Sequence, residues 1–317
     1  MTSVPAALPQ PDAPPGARVR AWSHSRFTFP LGPRSRYPLD KYALLRRRVV
    51  GDGSLREDDI AEPLPIAWDA VLRVHDPVFV TRMRTGALEV REERVLGLQW
   101  SEQLIERTLR GLQGTLAAAG DALETGHGIM LGGGTHHAAR ASARGFCVFN
   151  DLAVATSELR RAGALRRVLV IDCDVHQGDG TAELLRPDPE AFTLSVQCER
   201  NWPFVRIPSD LDVELPQGTG DDDYLQALDA ALDEAIGGAV ADLAFYVAGA
   251  DPWEGDKLGR LALTKPGLRA RDELVLDRCA RAGLPVVVTL AGGYAPDVRD
   301  TVDIHAQTIA AAVAAAA

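Results

Sequence analysis

The sequence predicts an α/β protein, a single domain built on one parallel β-sheet with helices on both faces. Three observations carry this. Short apolar runs, several of them β-branched, recur at Gly128–Leu131, Val168–Cys173, Phe192–Val196, Leu243–Val247 and Pro285–Leu290, as strands buried on both sides require. Helical patterns lie between and beside them, the alternation that links parallel strands. No linker or internal repeat divides the 317 residues, a length that allows one large domain or two ordinary ones. With 46% apolar and 25% charged residues the chain can bury a full core without staples.

In chain order, residues 1–17 are rich in Pro and Ala and are expected as a disordered lead-in, with 18–317 as the folded domain. Prolines between Val4 and Pro15 interrupt any signal-peptide core. Leu104, Leu109, Leu112, Leu116 and Leu123 form one stripe of a helix over Ser101–Glu124. A short helix is expected over Gly180–Leu185. Asp221, Asp222 and Asp223 precede a helix over Tyr224–Val240 and suit its positive N-terminal end better than they suit a binding patch. The Ala-rich Ile309–Ala317 reads as the last turns of a closing helix. No apolar run approaches the ~18 residues of a bilayer span. Cys147, Cys173, Cys198 and Cys279 lie far apart with no C-x-x-C pair, as reduced thiols of a cytoplasmic protein would. The formal net charge of −10 argues against nucleic acid as a partner and leaves room for cationic substrates.

Ligands of such sheets bind outside the carboxyl ends of the strands, so the segments that follow each strand matter most. They read Gly132-Gly133-Gly134-Thr135-His136-His137, then Asp172-Cys173-Asp174-Val175-His176-Gln177-Gly178-Asp179, Gly249-Ala250-Asp251-Pro252, and Ala291-Gly292-Gly293-Tyr294. Asp174 and His176, two residues apart, leave the strand on one side and can reach one ion, with Asp251 as a third ligand. Three protein ligands leave a position open for water, which is the catalytic arrangement. The competing reading has Asp174 and His176 capping the helix that follows. His136 and His137, in a tight glycine loop, suit proton transfer, and Asp172 and Asp179 are spare acids available to orient them. Tyr294 can donate to a carbonyl oxygen opposite the metal.

Together these residues resemble the histone deacetylase family, with the arginase/deacetylase fold, and most closely its class IV-like and bacterial branch. Phe29-Pro30…Tyr37-Pro38, Gly145-Phe146-Cys147-Val148-Phe149-Asn150-Asp151 and Asp256-Lys257-Leu258-Gly259-Arg260-Leu261 add to the likeness, which spans roughly 27–312 with five separated motifs in the family's order. The resemblance implies a catalytic domain with Asp174, His176 and Asp251 as ligands of zinc, or of iron(II), which the same set accepts. It makes His137 the general base and acid, His136 its electrostatic partner, Asp172 and Asp179 the acids behind them, and Tyr294 the carbonyl polariser. Gly145, Phe146 and Trp202 would form a narrow tunnel with Leu258 near its floor or rim. A structural K+ or Na+ is implied around Asp172, Asp174, His176 and Ser195. The implied activity is hydrolysis of an acyl group from a lysine side chain of a peptide or protein, or from a related amine such as an acetylpolyamine; no membrane partner is implied. The chain departs from the family at Gly134-Thr135 before the paired histidines, at Trp202 where Phe is common, and at Ala291 in place of a glycine. A two-manganese ureohydrolase of the same fold would need a carboxylate where Trp253 stands. A non-catalytic acyl-lysine or polyamine binding module is the reading from another class, and it would have lost a ligand, the His pair or the tyrosine.

Overall fold

In the computed structural model, which describes residues 19–26, 29–31, 35 and 37–316, eight strands form one sheet with every pairing parallel. They are β1 (Ala21–Trp22), β2 (Ile60–Ala61), β3 (His127–Met130), β4 (Val168–Asp172), β5 (Ala191–Cys198), β6 (Leu211–Leu215), β7 (Leu243–Ala248) and β8 (Val286–Leu290). Their order across the sheet is β2-β1-β3-β8-β7-β4-β5-β6. The expected lead-in over 1–17 lies outside the described residues. Among the described residues no helix is long and apolar enough to cross a membrane.

The helices are α1 (Lys41–Gly51), α2 (Trp68–Leu72), α3 (Pro77–Thr85), α4 (Val90–Leu96), α5 (Glu102–Thr125), α6 (Asp151–Arg161), α7 (Asp179–Leu185), α8 (Asp221–Ala239), α9 (Lys265–Arg281) and α10 (Val298–Ala315). Side chains alternate across each strand, so the two faces of the sheet build two cores. Val168 and Val170 of β4 pack with Leu112 and Leu116 of α5 and Leu152 of α6. Leu169 and Ile171 point the other way, into a core with Leu228 of α8, Leu276 of α9 and Ile309 of α10. The five expected strands appear with ends shifted by at most two residues, β5 being the longest.

The local signals act as expected where they were strong. Ser101 caps α5 by accepting the Leu104 N–H at 3.1 Å. Asp221, Asp222 and Asp223 form the first turn of α8, and the Asp221 carboxylate also accepts the Thr264 N–H and hydroxyl at 2.9 and 2.6 Å, tying α8 to the start of α9. The helix stops at Ala239, one residue short of the expected end, because Val240 takes a left-handed conformation, φ 43°. The closing helix begins at Val298, well before Ile309, capped by Asp297, which accepts the Arg299 N–H.

This topology collects the site. The chain leaves β3 and enters β4 three places along the sheet, and β7 and β8 later fill the gap. The loops after β3, β8, β7 and β4 therefore emerge side by side from four neighbouring strands, at the place where such sheets bind ligands.

Candidate active site

Asp172 ends β4, and the loop beyond it turns Asp174 and His176 toward the loops after β7 and β8. Asp174 Oδ1 accepts the backbone N–H of His176 and lies 2.9 Å from His176 Nδ1, while its Oδ2 accepts the Gly292 N–H at 2.7 Å. Asp251 Oδ1 accepts the Val175 N–H at 3.1 Å. The other Asp251 oxygen, Oδ2, stands 3.3 Å from His176 Nδ1, yet it is buried and accepts no hydrogen bond. One ligating atom each from Asp174, His176 and Asp251 lies within 4.8 Å of the others, and this is the one such group among the described residues. A Cβ on Gly292 would come within 1.8 Å of Asp251 Oδ2, so the cradle closes only around a glycine. Neither Asp174 nor His176 caps the following helix: the N-cap of α7 is Gly178, with no side-chain bond.

The electrostatics mark a place that favours positive charge. Burial raises Asp251 to about 6, with the Asp174 charge adding to the effect. Burial works against the charged form of His176, but the hydrogen bond to Asp174 and the close charges of Asp174 and Asp251 outweigh it and carry the imidazole to about 10. Asp174 is itself held well below the usual carboxylate range, because His136 and His176 together overcome its burial. Two converging acids, an imidazole and an unpartnered buried oxygen fit the donor set of a divalent metal.

The glycine turn after β3 is held by one carboxylate. Asp151 accepts the N–H groups of Gly134 and Thr135 at 2.9 and 2.7 Å and the hydroxyls of Thr135 and Thr115, both at 2.6 Å. The Gly134-Thr135 departure is thus built in, since the threonine hydroxyl supplies one of the four bonds. Beyond this turn the two imidazoles stack with centroids 4.0 Å apart. His136 Nδ1 meets Asp172 Oδ2 at 2.6 Å and His137 Nδ1 meets Asp179 Oδ1 at 2.8 Å, and all four side chains are buried. Burial opposes charge on both rings, with different outcomes. Asp172 and Asp174 overcome it at His136, which rises to about 9. At His137 burial is reinforced by the neighbouring His136 charge, outweighs Asp179, and lowers the ring to about 3. The pair is therefore one imidazolium and one neutral imidazole at neutral pH.

The tyrosine loop is pinned through Asp256, which accepts the Tyr294 N–H at 2.6 Å and the N–H groups of Leu258 and Gly259 at 2.8 and 3.0 Å. Burial and the Asp251 and Asp174 charges push the Tyr294 phenol up, so it remains a donor. Its ring lies 5.6 Å from that of Phe146. Trp202 stands edge-on to His137 at 4.4 Å. Gly145 sits between them: its φ is 55°, and a Cβ would approach His137 Cδ2 to 2.6 Å and Trp202 to 2.9 Å. Leu258 is tied to the Trp202 segment by its carbonyl, which accepts the Asn201 amide at 3.0 Å. Ser195 pairs in register with Asp172, and its buried Oγ meets no partner.

Four residues that sequence reasoning did not single out brace this centre. They are Asp151; Arg144, whose guanidinium reaches the His137 carbonyl at 2.9 Å and Asp179 Oδ2 at 3.2 Å; His75; and Lys41. The buried Lys41 ammonium donates to the Ala291 carbonyl at 3.0 Å and lies over the Tyr294 ring at 5.6 Å. Two of them had a signal available: Lys41 is one of three lysines in an arginine-rich chain, and Asp151 ends the motif that begins at Gly145.

Residues 37–309 match the family model of the histone deacetylase domain. The chain is 42% identical over 284 residues to an uncharacterized protein of Picosynechococcus sp., covering 89% of this chain and 94% of that one. It is 31% identical over 275 residues to histone deacetylase 2 of Arabidopsis thaliana, covering 83% and 71%. The crystal structure of an HDAC homolog complexed with SAHA superposes with a TM-score of 0.78 over 93% of this chain and 84% of that one, at 20% identity, a likeness of fold.

Proposed function

Since the chain belongs to the histone deacetylase family, we propose that its site hydrolyses N-acyl amides of lysine side chains or related amines, with residues 18–317 forming the catalytic domain. The observation that carries this reading is the buried His137, its Nδ1 2.8 Å from Asp179, lining one pocket with Asp174 and His176 of the Asp174, His176 and Asp251 group. Asp174, His176 and Asp251 would hold one zinc or iron(II) ion, which when bound supplies Lewis-acid polarisation of the carbonyl and an acidified water. Charge supports a divalent ion. Asp172, Asp174, Asp179 and Asp251 are buried carboxylates; the His136 imidazolium and the Arg144 guanidinium beside Asp179 offset two of them, and with His176 neutral, as a metal-ligating imidazole must be, two negative charges remain. Trp253 offers no carboxylate for a second ion and instead packs under Lys265, 5.6 Å from its ammonium.

The residues divide the proton work. Asp179 fixes the tautomer of His137 by accepting from Nδ1, which leaves Nε2 as the base that takes the proton of the attacking water. The same nitrogen then returns the proton to the departing amine. The His136 imidazolium, held by Asp172, stabilises the negative charge that develops in the transition state. Tyr294 donates its phenolic hydrogen to the carbonyl oxygen as that oxygen gains charge. Phe146 and Trp202 flank an aliphatic chain, with Gly145 leaving the space between them and Leu258 close to the Trp202 side. K+ or Na+ would take the oxygens around Asp172, Asp174, His176 and Ser195, a reading supported by the unpartnered Ser195 hydroxyl. Four buried, unpaired cysteines suit a reducing compartment such as the cytoplasm.

A fluorogenic acetyl-lysine peptide and an acetylated polyamine, each assayed with added zinc and with a hydroxamate control, test the proposal. Metal-dependent, hydroxamate-sensitive release of the amine is expected. No release from either substrate class would overturn it in favour of a binding module.

A further inference from the structure

Behind the metal-ligand loops lies a buried cation that touches none of the ligand side chains. Arg271, on α9, is wholly buried. Its Nη1 donates to two carbonyls, Cys173 at 3.2 Å and Gly249 at 2.6 Å. Cys173 is the residue before Asp174, and Gly249 stands two before Asp251. The rest of the guanidinium is anchored to Asp272 Oδ1, through Nε at 3.0 Å and Nη2 at 2.7 Å. Asp272 is anchored in turn, accepting the Tyr246 hydroxyl of β7 at 2.5 Å and the Thr308 hydroxyl of α10 at 2.6 Å.

We infer that Arg271 is a positioning residue that clamps the ends of β4 and β7, setting the separation of Asp174 and Asp251 and so the affinity of the site for its metal. The inference rests on the reading of Asp174, His176 and Asp251 as ligands. Two carboxylates brought together in a buried site repel, and the loops that carry them would relax apart unless held. The strand ladder stops short of the ligands: the Cys173 N–H still bonds the Val247 carbonyl, and beyond it the two loops are joined by the Val175 N–H to Asp251 Oδ1, a bond made to a ligand side chain itself. One nitrogen, Nη1, bonds both carbonyls, aimed by the planar guanidinium whose opposite edge, Nε and Nη2, stays on Asp272. A lysine ammonium keeps the charge opposite Asp272 and loses the planar fork. Groups that orient ligands in this way change metal affinity without touching the ion.

The test measures the zinc dissociation constant by competition with a chromophoric chelator, with thermal unfolding followed in parallel. Arg271→Lys is expected to bind zinc roughly 10- to 100-fold more weakly. Asp272→Asn, which keeps the arginine but removes the anion that aims it, is expected to lose roughly 10-fold, and it decides alone if Arg271→Lys does not fold. Leu159→Ala on α6 truncates a buried side chain in the opposite core and serves as the stability control, with zinc affinity within about 2-fold of the wild type and the gap to the arginine variant set by the clamp. Wild-type affinity in both Arg271→Lys and Asp272→Asn overturns the inference, as does an equal loss in Leu159→Ala. A wild type that binds zinc but hydrolyses no amide defeats the amidase reading and leaves the clamp standing. A wild type that binds no zinc overturns both.

Discussion

His75 makes the pH dependence of stability calculable. The ring is buried between two backbone groups, with Nδ1 donating to the Ala139 carbonyl at 2.9 Å and Nε2 accepting the Asn150 N–H at 3.0 Å. It joins the loop that carries His137 to the cap of α6. A second proton would turn Nε2 from acceptor to donor, facing an N–H. Burial pushes the same way and leads the shift, so the folded ring titrates at about 4 against an ordinary 6.5. Because the folded value is depressed, the unfolded chain takes up the proton first, and stability is lost as pH falls from 6.5 toward 4. Between pH 7.5 and 5.0 this one group costs about 2 kcal/mol, and about 3 kcal/mol once both states are protonated. Urea unfolding of the wild type and His75→Gln, followed by tryptophan fluorescence at both pH values, isolates the effect, since every other titrating group is common to the two proteins. The wild type is expected to lose about 2 kcal/mol more than the variant over that interval. Equal losses would refute the assignment of His75 as a neutral, doubly bonded brace.

Further outcomes follow from the site. His137→Ala and Tyr294→Phe should each cut turnover by ~100-fold or more with metal content unchanged, measured by steady-state kinetics beside elemental analysis; unchanged turnover in both removes their assigned roles. Elemental analysis should give one metal ion per wild-type chain and well under one for Asp251→Asn; two ions per wild-type chain would point to the ureohydrolase chemistry instead. Gly145→Ala forces a Cβ to 2.6 Å from His137 Cδ2 at φ 55°. It should lower kcat by roughly 10-fold or more, with a stability loss of about 1–3 kcal/mol in urea.

The parts of this molecule that could be read from its sequence are those whose evidence is local. A strand buried on both faces must be apolar, and the composition changes abruptly where it ends, so His136, Asp174, Asp251 and Tyr294 stand out as polar groups just past apolar runs. The acids that orient the histidines were legible for a similar reason: Asp172 and Asp179 share one segment with Asp174 and His176. The two-residue strands β1 and β2 are too short for a period to show, and β6, half-exposed at the sheet edge, reads Leu-Asp-Val-Glu-Leu without a run. Helix α9 fails the pattern for a chemical reason. Its buried face runs Leu268, Arg271, Asp272, Val275, Leu276, Cys279, so two charges interrupt the stripe and give the segment the look of a solvated surface. They tolerate burial because each satisfies the other, and the partners that complete them lie far along the chain. Cys173 is 98 residues from Arg271, and Thr308 is 36 from Asp272. A buried ion pair of this kind is weak evidence for stability, since an apolar pair of similar volume often serves as well. Its position, with Nη1 on the two carbonyls that lead into the loops of Asp174 and Asp251, is better explained by what it holds than by what it contributes to folding.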